Sequence, residues 1–137
     1  MRIHETSYRI LYAHTDKAGV VYYANYLMLF EVGRSEYLRT LGKSYADFER
    51  DGIILTVTEA NLRYLGPARY DDLISIRTRV TRLRRTRIDF GYEIMDPAGK
   101  KICEGSTTLG CLDISTLRPR ELPQDLVALI GDVPETA

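Results

Sequence analysis

The residues of this chain that are best placed to do chemistry form one short run, HTDKAG at positions 14–19, directly before a long helical pattern. An aspartate in such a loop is ionised at neutral pH. The N-terminus of a helix offers unpaired N–H groups and the positive end of its dipole. Such groups stabilise a carbonyl oxygen on which negative charge develops. The run therefore predicts a site where Asp16 attacks a carbonyl carbon, or deprotonates a water that does.

The same run also has a purely structural interpretation. Asp16 would then accept a hydrogen bond from nearby backbone in an Asx-type turn, and Gly19 would supply a conformation that other residues disfavour. On residue types and spacing alone, this turn is the more common outcome.

Most other familiar sites are missing from the sequence. There is no GxGxxG, no GxxxxGK[ST] and no GxSxG motif. His4 and His14 are the only histidines, and Cys103 and Cys111 have no CxxC partners, so we expect no metal and no other cofactor. If both cysteines lie on one strand, about 26 Å separates them. This exceeds the reach of a disulfide, so we expect free thiols in a reducing cytoplasm.

The elements that must position Asp16 follow from the hydrophobic pattern. Mid-helix Gly33 costs about 1 kcal/mol relative to Ala, so we expect it to pack closely against a sheet. Short turns between strands imply antiparallel neighbours, and the pattern predicts one α+β domain over residues 1–137. The predicted elements are a strand at 5–12, a loop at 13–23, a helix at 24–41 closed by Gly42, a short helix to about 50 capped by Ser44, strands at 53–64, 73–83, 86–95 and 101–113, and a helix from Pro123 to about 131.

Composition narrows the class of protein. Lys plus Arg and Asp plus Glu both number 19, so zero net charge gives no reason to expect nucleic-acid binding. No run approaches the roughly 18 apolar residues of a membrane span, and the N-terminus does not resemble a signal peptide. One helix covers only one face of five strands, so apolar strand residues would remain uncovered. We therefore expect a homodimer or homotetramer.

Residues 12–26, YAHTDKAGVVYYANY, followed by LMLFEVGRSEYLRTLG, resemble the signature of the 4-hydroxybenzoyl-CoA thioesterase family. That family includes the Tol–Pal-associated acyl-CoA thioesterases of bacteria, and its T-D-x-x-G-V-V-Y-x-A-N-Y core is complete here. The resemblance implies a hotdog fold, in which a long central helix is wrapped by an antiparallel sheet that also forms the dimer. It also implies hydrolysis of an acyl-CoA substrate.

The resemblance also implies roles for individual residues. Asp16 takes the place of the catalytic carboxylate, and the backbone N–H of Tyr23 takes the place of the group that binds the thioester oxygen. Many relatives have His at this second position, so proton transfer in this chain is expected to differ in detail.

Four further residues of the motif are candidates for substrate binding. Asn25 would bond the loop backbone and fix its shape, or simply cap the helix. Tyr22 would line the acyl pocket, or simply belong to the core. Tyr26 completes the motif, and His14 would titrate near the site or lie in the loop as a partly exposed histidine.

Six arginines lie within residues 77–87, RTRVTRLRRTR. Arginine forks suit the phosphates of coenzyme A, and the resemblance implies that basic residues from these strands bind its nucleotide end. The candidates are Arg82, Arg84, Arg85 and Arg87. The alternative is a solvated face on which the arginines pair with Asp and Glu.

Two other functions are compatible with the same fold. A hotdog dehydratase acting on hydroxyacyl thioesters would need a His paired with an acid at a spacing that His14 and Asp16 do not have. A non-catalytic acyl-CoA-binding protein would bind the ligand without turnover. The acyl group stays open between short-chain, long-chain, hydroxybenzoyl and dihydroxynaphthoyl thioesters.

Overall fold

The computed structural model describes residues 2–133 of the chain. Its elements are β1 (His4–Arg9), a 3-10 turn (Tyr12–His14), α1 (Asn25–Thr40), α2 (Tyr45–Arg50), β2 (Ile53–Tyr64), β3 (Leu73–Leu83), β4 (Arg87–Met95), β5 (Lys101–Asp113) and α3 (Gln124–Ile130). None of the helices in this part of the chain combines the length and the hydropathy needed to cross a membrane.

The predicted elements are confirmed, with one shortened strand. The first strand ends at Arg9 instead of residue 12, because the backbone of Ile10 turns to bond Asp72 and the 3-10 turn follows. Gly42 follows the end of α1 with φ +80°, as a glycine in the C′ position does. Ser44 caps α2, and its hydroxyl accepts a hydrogen bond of 3.2 Å from the N–H of Asp47.

The five strands form one antiparallel sheet in the order β1-β3-β4-β5-β2. The two ends of this sheet matter for the site. The last residue of β1 and the first of β3 pair at one end, where β2 finishes at Tyr64. The first residue of β2, the turn between β3 and β4, and α3 lie at the opposite end.

Helix α1 packs on one face of the sheet through a buried stripe. Phe30 stacks on Tyr92 with ring centroids 4.2 Å apart, and Tyr37 meets Phe90 edge to face at 5.9 Å. At Gly33 the helix comes so close that an added Cβ would lie 2.4 Å from the Thr78 hydroxyl oxygen. The prediction that Gly33 serves close packing against the sheet is confirmed.

The structure bears on two sequence-based expectations about burial. The wide apolar stripe of α1 predicts burial over most of its surface, but seven of its sixteen residues are buried, and Leu27 and Glu31 face outward. Uncovered apolar strand residues were expected on the other face of the sheet or at its edges, and Val57 and Tyr64 are exposed on the edge strand β2. The other face instead carries charged side chains, because alternation turns the apolar side chains of β3 and β4 toward the helix.

A row of charged residues crosses this second face from edge to edge. Glu5, Arg77, Glu93, Glu104 and Arg63 are direct cross-strand neighbours on five successive strands. The two central carboxylates would repel each other. The ammonium group of Lys101 lies 2.7 Å from Glu93 and 3.1 Å from Glu104, and it lowers the pKa of Glu93. This face is therefore neutralised within the single chain.

The edge strand β2 leaves one side of its backbone without a partner strand in the described part of the chain. This strand has twelve residues and pairs only with β5 among the elements of residues 2–133. Residues 57–61 are exposed, and Val57 and Tyr64 are among the large exposed side chains. A long strand with one unpaired side is a template for pairing with another chain.

Gly33→Val tests the close contact between α1 and the sheet. The added side chain would overlap the fully buried Thr78 and Ile76, so we expect the free energy of unfolding to fall by about 2 kcal/mol or more. The measurement is urea denaturation. Ser35→Val, two residues later on the same helix, controls for helix propensity and should change stability little. Equal midpoints for the two variants would show that the contact is not tight.

Candidate active site

Asp16 opens a tight turn in the loop between β1 and α1. Its side-chain Oδ1 accepts a hydrogen bond of 2.8 Å from the N–H of Ala18, and its carbonyl accepts one of 3.0 Å from Gly19. Gly19 has φ +81°, and its position leaves nothing within 4 Å of an added Cβ. The Asx-type turn is therefore present, and Oδ2 is left as the carboxylate oxygen with no protein partner among the described residues.

A second turn in the chain has the same geometry. In Asp96-Pro97-Ala98-Gly99, Oδ1 of Asp96 accepts 2.9 Å hydrogen bonds from the N–H groups of Ala98 and Lys100, and Gly99 has φ +85°. This second turn simply joins β4 to β5. Local geometry therefore does not distinguish a candidate catalytic aspartate from a structural one, and only the surroundings of the turn do.

The surroundings of the Asp16 loop are held by backbone contacts. Val20 forms an antiparallel bridge with Arg69, and the N–H of Val21 donates 2.8 Å to the carbonyl of Ala68. The carbonyl of His14 accepts two hydrogen bonds, each of 2.9 Å, from the N–H of Tyr22 and from Nδ2 of Asn25. These contacts fix the loop to the segment before β3 and to the first turn of α1.

Asn25 does what the sequence predicted of it as a structural residue. It bonds the loop backbone through the His14 carbonyl, and Ala24 rather than Asn25 occupies the N-cap position of α1. The simple capping alternative is therefore wrong. The contribution of Asn25 to substrate binding is a separate question.

The first turn of α1 presents free donors beside the loop. The N–H of Asn25 bonds the carbonyl of Tyr22 at 2.8 Å, and that of Tyr26 bonds the carbonyl of Tyr23 at 3.3 Å. The N–H groups of Tyr23 and Ala24 find no acceptor in the described part of the chain. These two adjacent donors, at the positive end of the helix dipole, suit an oxyanion.

Tyrosines surround these donors. Tyr22 and Tyr23 are exposed with ring centroids 4.6 Å apart, whereas Tyr26 is buried and meets Tyr64 edge to face at 5.3 Å. The pKa of Tyr22 is raised, first by the side chain of Tyr23 and more weakly by the Asp16 carboxylate. Asp16 therefore lies within electrostatic range of the aromatic residues at the helix start.

The imidazole of His14 has a structural partner. Its Nδ1 accepts a 3.1 Å hydrogen bond from the N–H of Leu11, and its ring lies 5.8 Å from that of Tyr8. These contacts agree with the alternative of a partly exposed loop histidine, because one ring nitrogen is already committed.

The arginine run lies far from Asp16 in the same chain. The Asp16 loop packs against the segment just before β3, whereas Arg84 and Arg85 follow the last residue of β3, about 33 Å away along the strand. Arg84 pairs with Asp89 at 2.7 Å and Arg85 with Glu121 at 3.3 Å. Arg82 and Arg87 are exposed and have no ion pair among residues 2–133. The sequence did not reveal this separation.

A shallow apolar depression lies beside two of these arginines. Its volume is about 330 Å³, and Leu83, Leu122 and Val127 line it together with Arg84, Arg85 and the carboxylate of Glu121, which pairs with Arg85. Nε of Arg84 is buried without a partner among the described residues. An apolar floor beside two guanidinium groups suits a flat ring that carries phosphates, provided that the phosphates displace the carboxylates of Asp89 and Glu121.

Two site residues escaped the sequence analysis. Ala24 contributes only a backbone N–H, which has no signature in sequence. Tyr64 reaches the start of α1 from the far end of β2, and its hydroxyl donates 3.0 Å to the carbonyl of Tyr23. The alternating pattern of β2 marks Tyr64 as a strand residue and says nothing about this contact.

The two cysteines are not candidates for the nucleophile. Both are free and buried, and both lie on β5. Burial raises the pKa of Cys103 to about 12 and also raises the pKa of Cys111. Their thiols are therefore protonated at neutral pH.

Comparison with known proteins defines the family. Residues 18–103 match the thioesterase superfamily, and this match begins two residues after Asp16. The acyl-CoA thioester hydrolase YbgC of Escherichia coli O6:H1 is 32% identical over 120 residues, which is 88% of this chain and 90% of that protein. The 1,4-dihydroxy-2-naphthoyl-CoA hydrolase of Thermosynechococcus vestitus is 30% identical over 127 residues, 92% of this chain and 87% of that one.

A solved structure agrees with these relatives. The DHNA-CoA thioesterase of Staphylococcus aureus superposes with a TM-score of 0.87 and 39% identity, over 90% of this chain and 83% of that one. The fold is that of a hotdog protein, and two free N–H groups at the start of its long helix lie beside the Asp16 loop. The chain belongs to the thioesterase superfamily, as the sequence resemblance implied.

Asn25→Ala tests how the loop is held. Losing the 2.9 Å bond to the His14 carbonyl should lower the free energy of unfolding by about 1 kcal/mol. Hydrogen exchange of the Asp16 and Tyr22 amides should also become faster, because both are bonded within this loop. Gln124→Ala, at an exposed amide side chain on α3, is the control. Unchanged exchange in Asn25→Ala would show that the backbone contacts alone hold the loop.

Proposed function

We propose that this protein hydrolyses an acyl-CoA thioester to a free acid and CoA, with Asp16 as the catalytic carboxylate. The observation that carries the proposal is the pairing of a loop-held carboxylate with two free N–H groups at the start of α1. Membership of the thioesterase superfamily supports the reaction class, because relatives are named acyl-CoA thioester hydrolases.

In the proposed reaction, a backbone N–H binds the thioester oxygen and a side-chain carboxylate acts on the carbonyl carbon or on a water. The thioester oxygen accepts hydrogen bonds from the N–H of Tyr23, with the dipole of α1 behind it. The Asp16 carboxylate either attacks the carbonyl carbon to form an anhydride, or takes a proton from a water that attacks. When Asp16 activates water, the C–S bond breaks and the CoA thiolate takes the proton that Asp16 removed. When an anhydride forms, the C–S bond breaks, the thiolate is protonated from solvent, and water then hydrolyses the anhydride to release the acid and restore the Asp16 carboxylate. Because one oxygen of Asp16 is held by Ala18, the other is free to react.

The acyl group would enter beside the tyrosines. Tyr22 and Tyr23 provide exposed aromatic surface next to the N–H donors, and Tyr26 provides a buried wall. Such surfaces bind apolar and aromatic acyl groups alike. A panel of aliphatic and aromatic acyl-CoAs, with free thiol measured over time, would decide the acyl group.

A homodimer would complete this site. Two copies paired through the free edges of β2 would form one continuous sheet and cover the exposed residues 57–61. If the two strands run antiparallel, the Tyr64 end of one copy lies beside the Ile53 end of its partner. The arginine-lined depression belongs to the Ile53 end of the sheet.

The CoA nucleotide would therefore bind to the partner of the chain that supplies Asp16. Within one chain, about 33 Å along β3 separates the Asp16 loop from Arg84 and Arg85, farther than the pantetheine arm reaches. In the dimer, Arg84 and Arg85 of one copy would lie at the same end of the continuous sheet as the Asp16 loop of the other copy. We place the protein in the cytoplasm, since both cysteines are free.

Asp16→Asn tests the catalytic carboxylate. We expect thiol release to fall about a thousand-fold while the fold is retained, because the amide keeps the turn but neither attacks nor accepts a proton. Asp96→Asn is a matched control, since its Oδ1 likewise accepts from the N–H two residues later and its turn has the same glycine conformation. Near-normal turnover by Asp16→Asn would overturn the assignment.

A single turnover of the wild-type enzyme in heavy-oxygen water tests for the anhydride. Label enters the Asp16 carboxylate only if an anhydride forms and water attacks its aspartyl carbon. Label confined to the product acid fits water activation and also attack of water on the acyl carbon of an anhydride, so hydroxylamine is added as a second probe. An aspartyl hydroxamate at Asp16 forms only from the anhydride.

Mixing two impaired variants tests the shared site. Asp16→Asn lacks the carboxylate, and we expect Arg84→Ala/Arg85→Ala to raise KM about tenfold. If arginines act on the partner's Asp16, reassembled equimolar mixtures contain one complete site per heterodimer and, with substrate well below KM, recover about a quarter of wild-type activity. Arg118→Ala, at another exposed arginine, should leave KM unchanged. Mixtures with no more activity than the average of the two separate variants would show that each chain's site is self-contained.

A non-catalytic acyl-CoA-binding protein is the alternative of a different class, and a dehydratase is the alternative enzyme. Saturable binding without thiol release would favour the first. Hydrated or dehydrated acyl products would favour the second. Free thiol, acyl products and saturable binding, measured on the same acyl-CoAs, therefore separate all three.

A further inference from the structure

Tyr64 links the end of β2 to the start of α1. Its hydroxyl donates a 3.0 Å hydrogen bond to the carbonyl of Tyr23, 41 residues earlier in the chain. Its ring also meets those of Tyr26 and Tyr23 edge to face, with centroids 5.3 and 6.5 Å away. The contact therefore fixes both the backbone and the side chains at this helix terminus.

The bonded carbonyl belongs to the peptide that carries one of the free donors. The C=O of Tyr23 and the N–H of Ala24 lie in one planar peptide and point in opposite directions. Any rotation of that plane turns the Ala24 N–H, so fixing the carbonyl fixes the direction of this donor. The N–H of Tyr23 belongs to the preceding peptide, whose carbonyl accepts a 2.8 Å hydrogen bond from the N–H of Asn25.

Within the helix, this carbonyl is otherwise weakly held. Its helical partner, the N–H of Tyr26, lies 3.3 Å away, which is longer than the bond from Tyr64. A donor on the carbonyl oxygen also polarises the peptide and strengthens the hydrogen bond that its N–H gives. The Tyr64 hydroxyl thus acts on both the orientation and the strength of the Ala24 donor.

We propose that Tyr64 is a positioning residue for thioester hydrolysis, which aims the N–H of Ala24 at the thioester oxygen beside the N–H of Tyr23. Ala24 is then a second donor to the oxyanion beside Tyr23. Tyr64 touches neither the substrate nor the reacting atoms in this role. The proposal rests on the proposed function, because it assumes that the thioester carbonyl binds at this terminus.

Tyr64→Phe tests the role, since it keeps the ring contacts and removes only the hydroxyl. We expect kcat/KM to fall about five- to tenfold, because the Ala24 donor holds the carbonyl oxygen of the bound substrate and holds it more strongly as charge develops on that oxygen. Tyr70→Phe is the matched control. Tyr70 is also exposed and also contacts another tyrosine, Tyr12, with ring centroids 5.5 Å apart, but its hydroxyl has no partner among the described residues.

Binding of two inert substrate analogues gives a readout that a merely structural role would not change. One is a ketone in which CH₂ replaces the thioester sulfur, so the carbonyl is kept. The other is an alkyl-CoA thioether, which has no carbonyl. Tyr64→Phe should weaken binding of the ketone about fivefold and leave the thioether unchanged. Equal weakening of both, or of neither, would overturn the proposal.

Asp16→Asn assayed alongside keeps the two proposals distinguishable. If Asp16→Asn is inactive while Tyr64→Phe matches wild type in kcat/KM and in both affinities, only the positioning role fails. If Asp16→Asn stays active, the proposed function fails, whatever Tyr64→Phe does.

Discussion

The close contact between α1 and the centre of the sheet at Gly33 is the constraint on which the rest of this structure depends. Only a residue without Cβ lets the helix approach the buried Thr78 and Ile76 so closely. This contact fixes the height and the axial position of the helix over the sheet. The N-terminus of α1, two turns away, is thereby brought to the end of the sheet where β1 ends and β3 begins. The candidate site lies at that end.

The site itself is assembled mainly from backbone. The loop is held by the Val20–Arg69 bridge and by the His14 carbonyl, which accepts two hydrogen bonds. The proposed donors are main-chain N–H groups. Side chains contribute one carboxylate and a set of tyrosines. This explains how relatives with a different residue at position 23 could keep the same oxygen-binding geometry, since the N–H is present whatever the side chain. The Asp96 turn has the same local geometry, but it joins two strands and does not lead into a helix.

Much of the fold could be predicted from sequence because its signals are local. The alternation in β3, the helical stripe of Tyr26, Phe30 and Gly33, and the helix-ending and helix-capping signals of Gly42 and Ser44 each depend on neighbours within a few residues. The shortened β1 was missed because a contact with Asp72, 62 residues later, ends it. The charged second face was missed because counting helices against strands ignores which way each strand side chain points.

By itself, the sequence determined the element order, the α+β class and the position of Asp16 before a helix N-terminus, since periodicity and turn residues act over short distances. The resemblance of residues 12–26 to a thioesterase signature supplied the family, which the comparisons confirmed. Only the tertiary structure decided that Arg84 and Arg85 lie at the end of the sheet opposite Asp16, and that Tyr64 bonds the Tyr23 carbonyl. Both depend on strand register and helix placement, which are set by packing between residues that are distant in the chain.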